Sequence, residues 1–104
     1  MIDICIKKSN DDIKEVTVSG HVIEFAGKDI VCSAVSAVVQ TALSGLLCYG
    51  NSDISWKAQK GMLFIKVKEE IDKENRMIFN IILSTMILGL RQIAKEYPEC
   101  IGII

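Results

Sequence analysis

Gly20-His21-Val22-Ile23-Glu24-Phe25-Ala26-Gly27-Lys28-Asp29-Ile30-Val31-Cys32-Ser33-Ala34-Val35-Ser36 is the seam at which an extended chain becomes a helix. Before it, Glu15 to Gly20 is rich in β-branched residues and reads as a strand. After it, Val35, Val38, Val39, Ala42, Leu43, Leu46 and Leu47 recur at helical spacing until Gly50-Asn51. Gly27 lets the intervening loop bend sharply, and Asp29 is suited to cap the helix that follows. The small residues Ser33, Ala34, Ser36, Ala37 and Ala42 predict a helix lying close against a sheet.

Working outward, Ile2, Ile4 and Ile6 alternate with Asp3, Cys5 and Lys7, a half-buried strand. The turn cluster Ser9-Asn10-Asp11-Asp12 joins it to the strand ending at Gly20, making a hairpin. Downstream the pattern repeats. Ile54, Trp56 and Ala58 alternate in a third strand from Ser52 to Gln59, Lys60-Gly61 marks a tight turn, and Met62 to Lys68 forms a fourth with Leu63, Ile65 and Val67 on one face. The charged stretch Glu69 to Asn75 leads into a final helix that runs to about Tyr97, where Pro98 ends it. Cys100 to Ile104 can add a short last strand. The expected fold is α+β and two-layered, ββαββα, with a mostly antiparallel four-stranded sheet of two hairpins and both helices on one face. The final helix is apolar around most of its circumference, with a thin polar stripe of Asn80, Ser84, Arg91 and Lys95. So few layers cannot cover it, and a second, symmetry-related subunit is expected to do so.

The chain of 104 residues is short enough that residues 1–104 read as one domain. Half of the residues are hydrophobic and 24% are charged, a composition that supports a packed core and excludes disorder. A net charge of −1 with no basic block argues against direct nucleic-acid binding. Cys5, Cys32, Cys48 and Cys100 show no C-x-x-C spacing, so neither a zinc knuckle nor a dithiol redox motif is supported. Met1-Ile2-Asp3-Ile4 does not open a secretion signal, and the apolar run from Met77 to Leu90 is shorter than the ~20 residues of a bilayer span. A cytoplasmic protein with reduced thiols and no membrane segment is expected.

The seam also carries chemistry. Cys32 is the one cysteine of the four at a helix start, where backbone N–H groups lack partners and the macrodipole is positive; such a site favours thiolate, the nucleophilic form. His21 is the only histidine and stands across the loop, in position to complete a nucleophile–base pair. Taken singly, each has a plainer reading: a small buried thiol, and a turn residue. Ser36 falls one turn after Cys32 on the same face, and either bonds near the thiol or back to its own helix. Trp56, Met62 and Phe64 read first as sheet packing and second as an apolar wall for substrate side chains.

Gly20-His21 followed by Gly27-Lys28-Asp29-Ile30-Val31-Cys32-Ser33-Ala34-Val35-Ser36 resembles the ribosomal-processing cysteine proteases of bacteria, the Prp family. Those proteins carry Gly-His-Ala, a short variable loop, and Gly-x-Asp-Ile/Leu-Val-Cys-Ala-small-x-Ser/Thr opening a helix. Chain length, flanking hairpins and an apolar final helix ending in a Lys-Glu-Tyr stretch extend the likeness. Val22 replaces the usual Ala, and the loop is about one residue shorter. The resemblance implies an α+β homodimeric endopeptidase that removes the N-terminal extension, ending in paired aromatics, of a large-subunit ribosomal protein. By position it makes Cys32 the nucleophile and His21 the general base, with Gly20, Gly27, Asp29 and Ser36 supporting them, and it calls for no metal or cofactor. Asp29 either caps the helix or orients His21, and the cap is the better fit. Two other readings follow from the same residues: a non-enzymatic ribosome-associated interaction domain, and a redox-sensing thiol protein.

Overall fold

A computed structural model describes residues 1–20, 29–59 and 61–104, with Asp29 described by its backbone alone. The first hairpin pairs β1 (Ile2–Ser9) with β2 (Asp12–Gly20). Asn10 and Asp11 form its two-residue turn with φ of 52° and 71°, a left-handed conformation that short polar side chains tolerate and that matches the strand twist. Helix α1 spans Asp29–Gly50, so the expected start near Asp29 and stop at Gly50-Asn51 both hold. A 3-10 turn, Asn51–Asp53, leads into β3 (Ile54–Gln59), which pairs antiparallel with β4 (Met62–Val67). Helix α2 (Lys73–Glu96) follows, and β5 (Ile101–Ile103) closes the chain.

The strands form one five-stranded sheet in the order β3-β4-β2-β1-β5. The α+β class holds, but the sheet has five strands rather than four and is mixed: the short C-terminal strand forms and runs parallel to β1. Its backbone is held along β1, with Ile2 N–H donating to the Cys100 carbonyl (2.7 Å) and Ile104 N–H to that of Ile4 (2.8 Å). The two hairpins join through β2 and β4, with Val16 opposite Ile65 and Val18 opposite Leu63.

Register sorts the two faces. Ile6, Val16, Ile65 and Trp56 lie across one row of the sheet; Ile4, Val18, Leu63 and Ala58 lie across another on the same face. Both helices pack there. Val35, Val39, Leu43 and Leu46 from α1 and Phe79, Leu83, Ile87 and Leu90 from α2 join Ile4, Val16 and Ile65 in a single core. Cys5, Thr17, Phe64 and Lys57 line up on the opposite, uncovered face. The two helices run antiparallel: Gly45 faces Ile82 and, seven residues along each helix, Val38 faces Gly89.

The small residues of α1 are not placed as expected. Ala42 is buried, but Ser33, Ser36 and Ala37 are exposed, because the 3.6-residue period turns Val31, Val35 and Val39 inward in their stead. In α2, Asp72 caps the N-terminus by accepting the Asn75 N–H at 2.7 Å, and the Tyr97 N–H closes the C-terminus onto the Ile93 carbonyl. Asn80, expected on a solvated stripe, instead faces the first hairpin. Its side chain accepts the Ile13 N–H at 3.1 Å and donates to the Asp12 carboxylate at 2.9 Å. Met77, Ile81 and Leu88 remain about 60% exposed on the outward side of α2. By length and hydropathy both helices are apolar enough to cross a bilayer; here each lays its most apolar face on the sheet.

Candidate active site: a groove along the first helix

The first turn of α1 brings Cys32 to the surface of the core. Val31 is fully buried and holds the turn down, while Cys32 is half-buried and packs at the core's margin. From there a groove of about 560 Å³ opens. One wall is the α1 face that repeats at helical spacing: Cys32, Val35, Ser36, Val39, Gln40 and Leu43, continuing to Leu47. Trp56 and Ala58 of β3 form the other wall, and Val18 and Leu63 the floor. The groove exists because β3 is an edge strand whose inner face extends beyond the shelter of α1. Thus Ile65 is 1% exposed, whereas Trp56, its partner on β3, is 49% exposed.

The sequence-derived site residues separate as follows. Cys32 and Ser36 line the same groove, and Gly20 borders it at the end of β2. Gly20 has φ of 103°, and a Cβ there would collide with the Met1 carbonyl oxygen, so glycine is required at the point where the strand enters the loop. Its N–H donates to the Gly61 carbonyl at 2.9 Å, fixing that point against the β3–β4 turn. His21 and Gly27 lie outside the described residues, as does the Asp29 side chain; the backbone of Asp29 begins the helix. Trp56 and Met62 line the groove, but Phe64 does not: its register turns it to the uncovered face with Cys5 and Thr17. All four cysteines are thiols, and Cys32 alone lines the groove. Cys100 is buried beside Glu99, Cys48 is exposed, and Cys5 is half-buried in the sheet. Among the described residues, no cluster of His, Cys, Asp or Glu is suited to hold a metal ion.

Sequence reasoning missed the length of the groove. Leu43 and Leu47 read only as apolar positions of the helix, and Gln40 and Ser44 were not singled out. The available signal was the row Cys32, Ser36, Gln40 and Ser44, spaced by four, which continues the face of the thiol with small and polar residues along the helix.

Known proteins share this fold. The ribosomal processing protease Prp of S. aureus, solved in complex with a substrate peptide, is 25% identical and superposes with a TM-score of 0.84 over 100% of this chain and 98% of that one. The same S. aureus protease with a covalently linked product peptide is also 25% identical, with a TM-score of 0.83, 99% of this chain and 97% of that one covered. The ribosomal processing cysteine protease Prp of Bacillus subtilis (strain 168) is 28% identical over 104 residues, covering 95% of this chain and 92% of the relative. A thiol at the head of a groove, in a fold shared with peptide-bound thiol enzymes, defines a cysteine protease. The model of the family Cysteine protease Prp matches residues 1–102, and the chain belongs to that family.

Proposed function

We propose that the chain is a cytoplasmic endopeptidase that removes the N-terminal extension of a large-subunit ribosomal protein, with Cys32 as nucleophile and His21 as general base. The observation that carries this reading is the position of Cys32: the first turn of α1, half-buried, at the head of a groove long enough to hold a peptide. The relatives solved with a substrate peptide and with a covalently linked product peptide support it.

In this mechanism His21 takes the thiol proton of Cys32 and becomes imidazolium. The sulfur attacks the scissile carbonyl, and backbone N–H groups at the start of α1, including that of Cys32, stabilise the oxyanion. The imidazolium then donates its proton to the departing amine as the C–N bond breaks, leaving a thioester on Cys32. Water adds to the thioester with His21 accepting its proton, and the sulfur leaves to regenerate the site. Gly20 and Gly27 are supporting residues in this reading, with Gly20 turning the chain at the end of β2; Asp29 fixes the start of the helix, and Ser36 lines the approach to the thiol. The chemistry draws on no metal or cofactor. Residues 1–104 serve as one protease domain, and two copies associate through the apolar stripe of α2.

The test is cleavage of a peptide spanning the paired-aromatic junction of the organism's own ribosomal protein. Cys32→Ala abolishes cleavage, and His21→Ala lowers kcat at least 100-fold, as expected for loss of a general base. Cleavage that survives Cys32→Ala assigns the nucleophile elsewhere.

A further inference from the structure

The groove reaches far beyond the sulfur. Cys32 and Leu47 mark its two ends along α1, fifteen residues apart, about 22 Å at 1.5 Å per helical residue. An extended peptide rises about 3.3 Å per residue, so this length matches roughly six or seven substrate residues. Trp56 stands toward the far end. It is the third residue of β3, a strand that begins just past the 3-10 turn at the end of α1. It lies on the inner face of the sheet, in the row of Val16 and Ile65, yet 49% of it remains exposed. A large apolar ring is thereby presented to the groove that Leu43 and Leu47 also line, from the β3 lining residue farthest along the strand from the Gly20–Gly61 end.

We infer that Trp56, Leu43 and Leu47 form a remote subsite that reads an apolar side chain of the substrate about four to six residues from the scissile bond. The inference rests on the protease reading above and adds to it a specificity-determining site far from the reacting carbonyl. A polypeptide is the occupant that fits, because the groove is continuous with Cys32 and concave, and protein relatives with this fold hold peptides. A second copy of the chain has a different apolar surface available, the outward stripe of α2. Binding energy gained at such a distance is spent on seating the carbonyl at the sulfur, so losing it lowers kcat/KM rather than merely weakening association.

Trp56 is the only tryptophan in the chain, so its fluorescence reports on the subsite directly. In the Cys32→Ala variant, titration with a Trp-free peptide spanning the junction shifts the emission to the blue. A peptide in which the remote apolar residue is replaced by Asp binds at least 10-fold more weakly and leaves the emission unshifted. In the active enzyme, Trp56→Ala lowers kcat/KM at least 10-fold for the full-length peptide and by less than twofold for a shorter peptide that spans the junction but lacks the remote apolar residue, and Trp56→Phe restores most of the loss. Tight binding without an emission change, or equal losses on long and short peptides, overturns the subsite. An emission shift that follows protein concentration and is indifferent to peptide assigns the groove to a second copy, and also overturns it. Failure of the protease reading is separate: it appears as cleavage that persists in Cys32→Ala.

Discussion

Phe79 and Gly50 meet where the end of α1 crosses the beginning of α2. The ring of Phe79 is 1% exposed, and a methyl group at Gly50 would overlap it. Gly50→Ala therefore forces a buried ring out of its rotamer and is expected to destabilise by about 1–3 kcal/mol in a denaturant titration. Asp72→Ala removes the cap bond to the Asn75 N–H and costs about 1 kcal/mol by the same measurement. Residues of these two kinds were unequally legible. Asp72 lies in the charged connector read as leading into the last helix, and the bond it makes is only three residues away. Gly50 read as a helix stop, and it does end α1; its need to admit an aromatic ring comes from a residue 29 positions later, which no local pattern reveals. That Cys32 and Ser36 share one face was legible from their spacing of four along the helix, and both line the groove.

At the scale of elements, the turns were read accurately because their chemistry is local. Asn10-Asp11 and Gly61 carry the positive φ that tight turns demand, and Pro98 stands two residues past the end of α2. What local patterns left out is how elements meet. Asn80 was read as part of a solvated stripe, but it ties α2 to the first hairpin through Ile13 and Asp12. Asn80→Ala leaves the Asp12 carboxylate and the Ile13 amide to find other partners and is expected to cost about 1–3 kcal/mol. Leu83, fully buried between α2 and the sheet, loses about 2–5 kcal/mol on truncation to Ala. The helix–helix contact predicts the opposite sign. At Gly89 an added Cβ would sit 3.5 Å from the Val38 side chain, in ordinary contact, so Gly89→Ala gains helix propensity and stabilises by about 0.5–1 kcal/mol. All three are read by chemical denaturation of the whole chain.

At the scale of the whole molecule, the order of the strands decides where the groove lies. Placing β2 at the centre, between β4 and β1, with β3 at one edge leaves the inner face of β3 beside α1 partly uncovered, and the groove occupies that space. Strand order is a long-range property: the alternation of Ile54, Trp56 and Ala58 marks a strand without saying that it lies at an edge, so Trp56 read first as packing. The last strand was anticipated, but its parallel pairing with β1 was not, because nothing in Ile101–Ile103 encodes its partner. The apolar circumference of α2 did foretell an uncovered face, and Met77, Ile81 and Leu88 are that face. If it joins two copies, the wild-type chain sediments as a dimer at micromolar concentration, and Ile81→Glu or Leu88→Glu sediments as a monomer with its fold unchanged by circular dichroism.

The claim on which all of this depends is that the sulfur of Cys32 carries the substrate's acyl group between the two halves of the reaction. Rapid acid quenching of the wild-type chain with the junction peptide, followed by digestion and mass spectrometry, tests it most directly. The account predicts the N-terminal fragment of the substrate bound to Cys32, and its loss in His21→Ala. An acyl fragment found on Cys5, Cys48 or Cys100, or steady cleavage with Cys32 unmodified at every time of quenching, would contradict it.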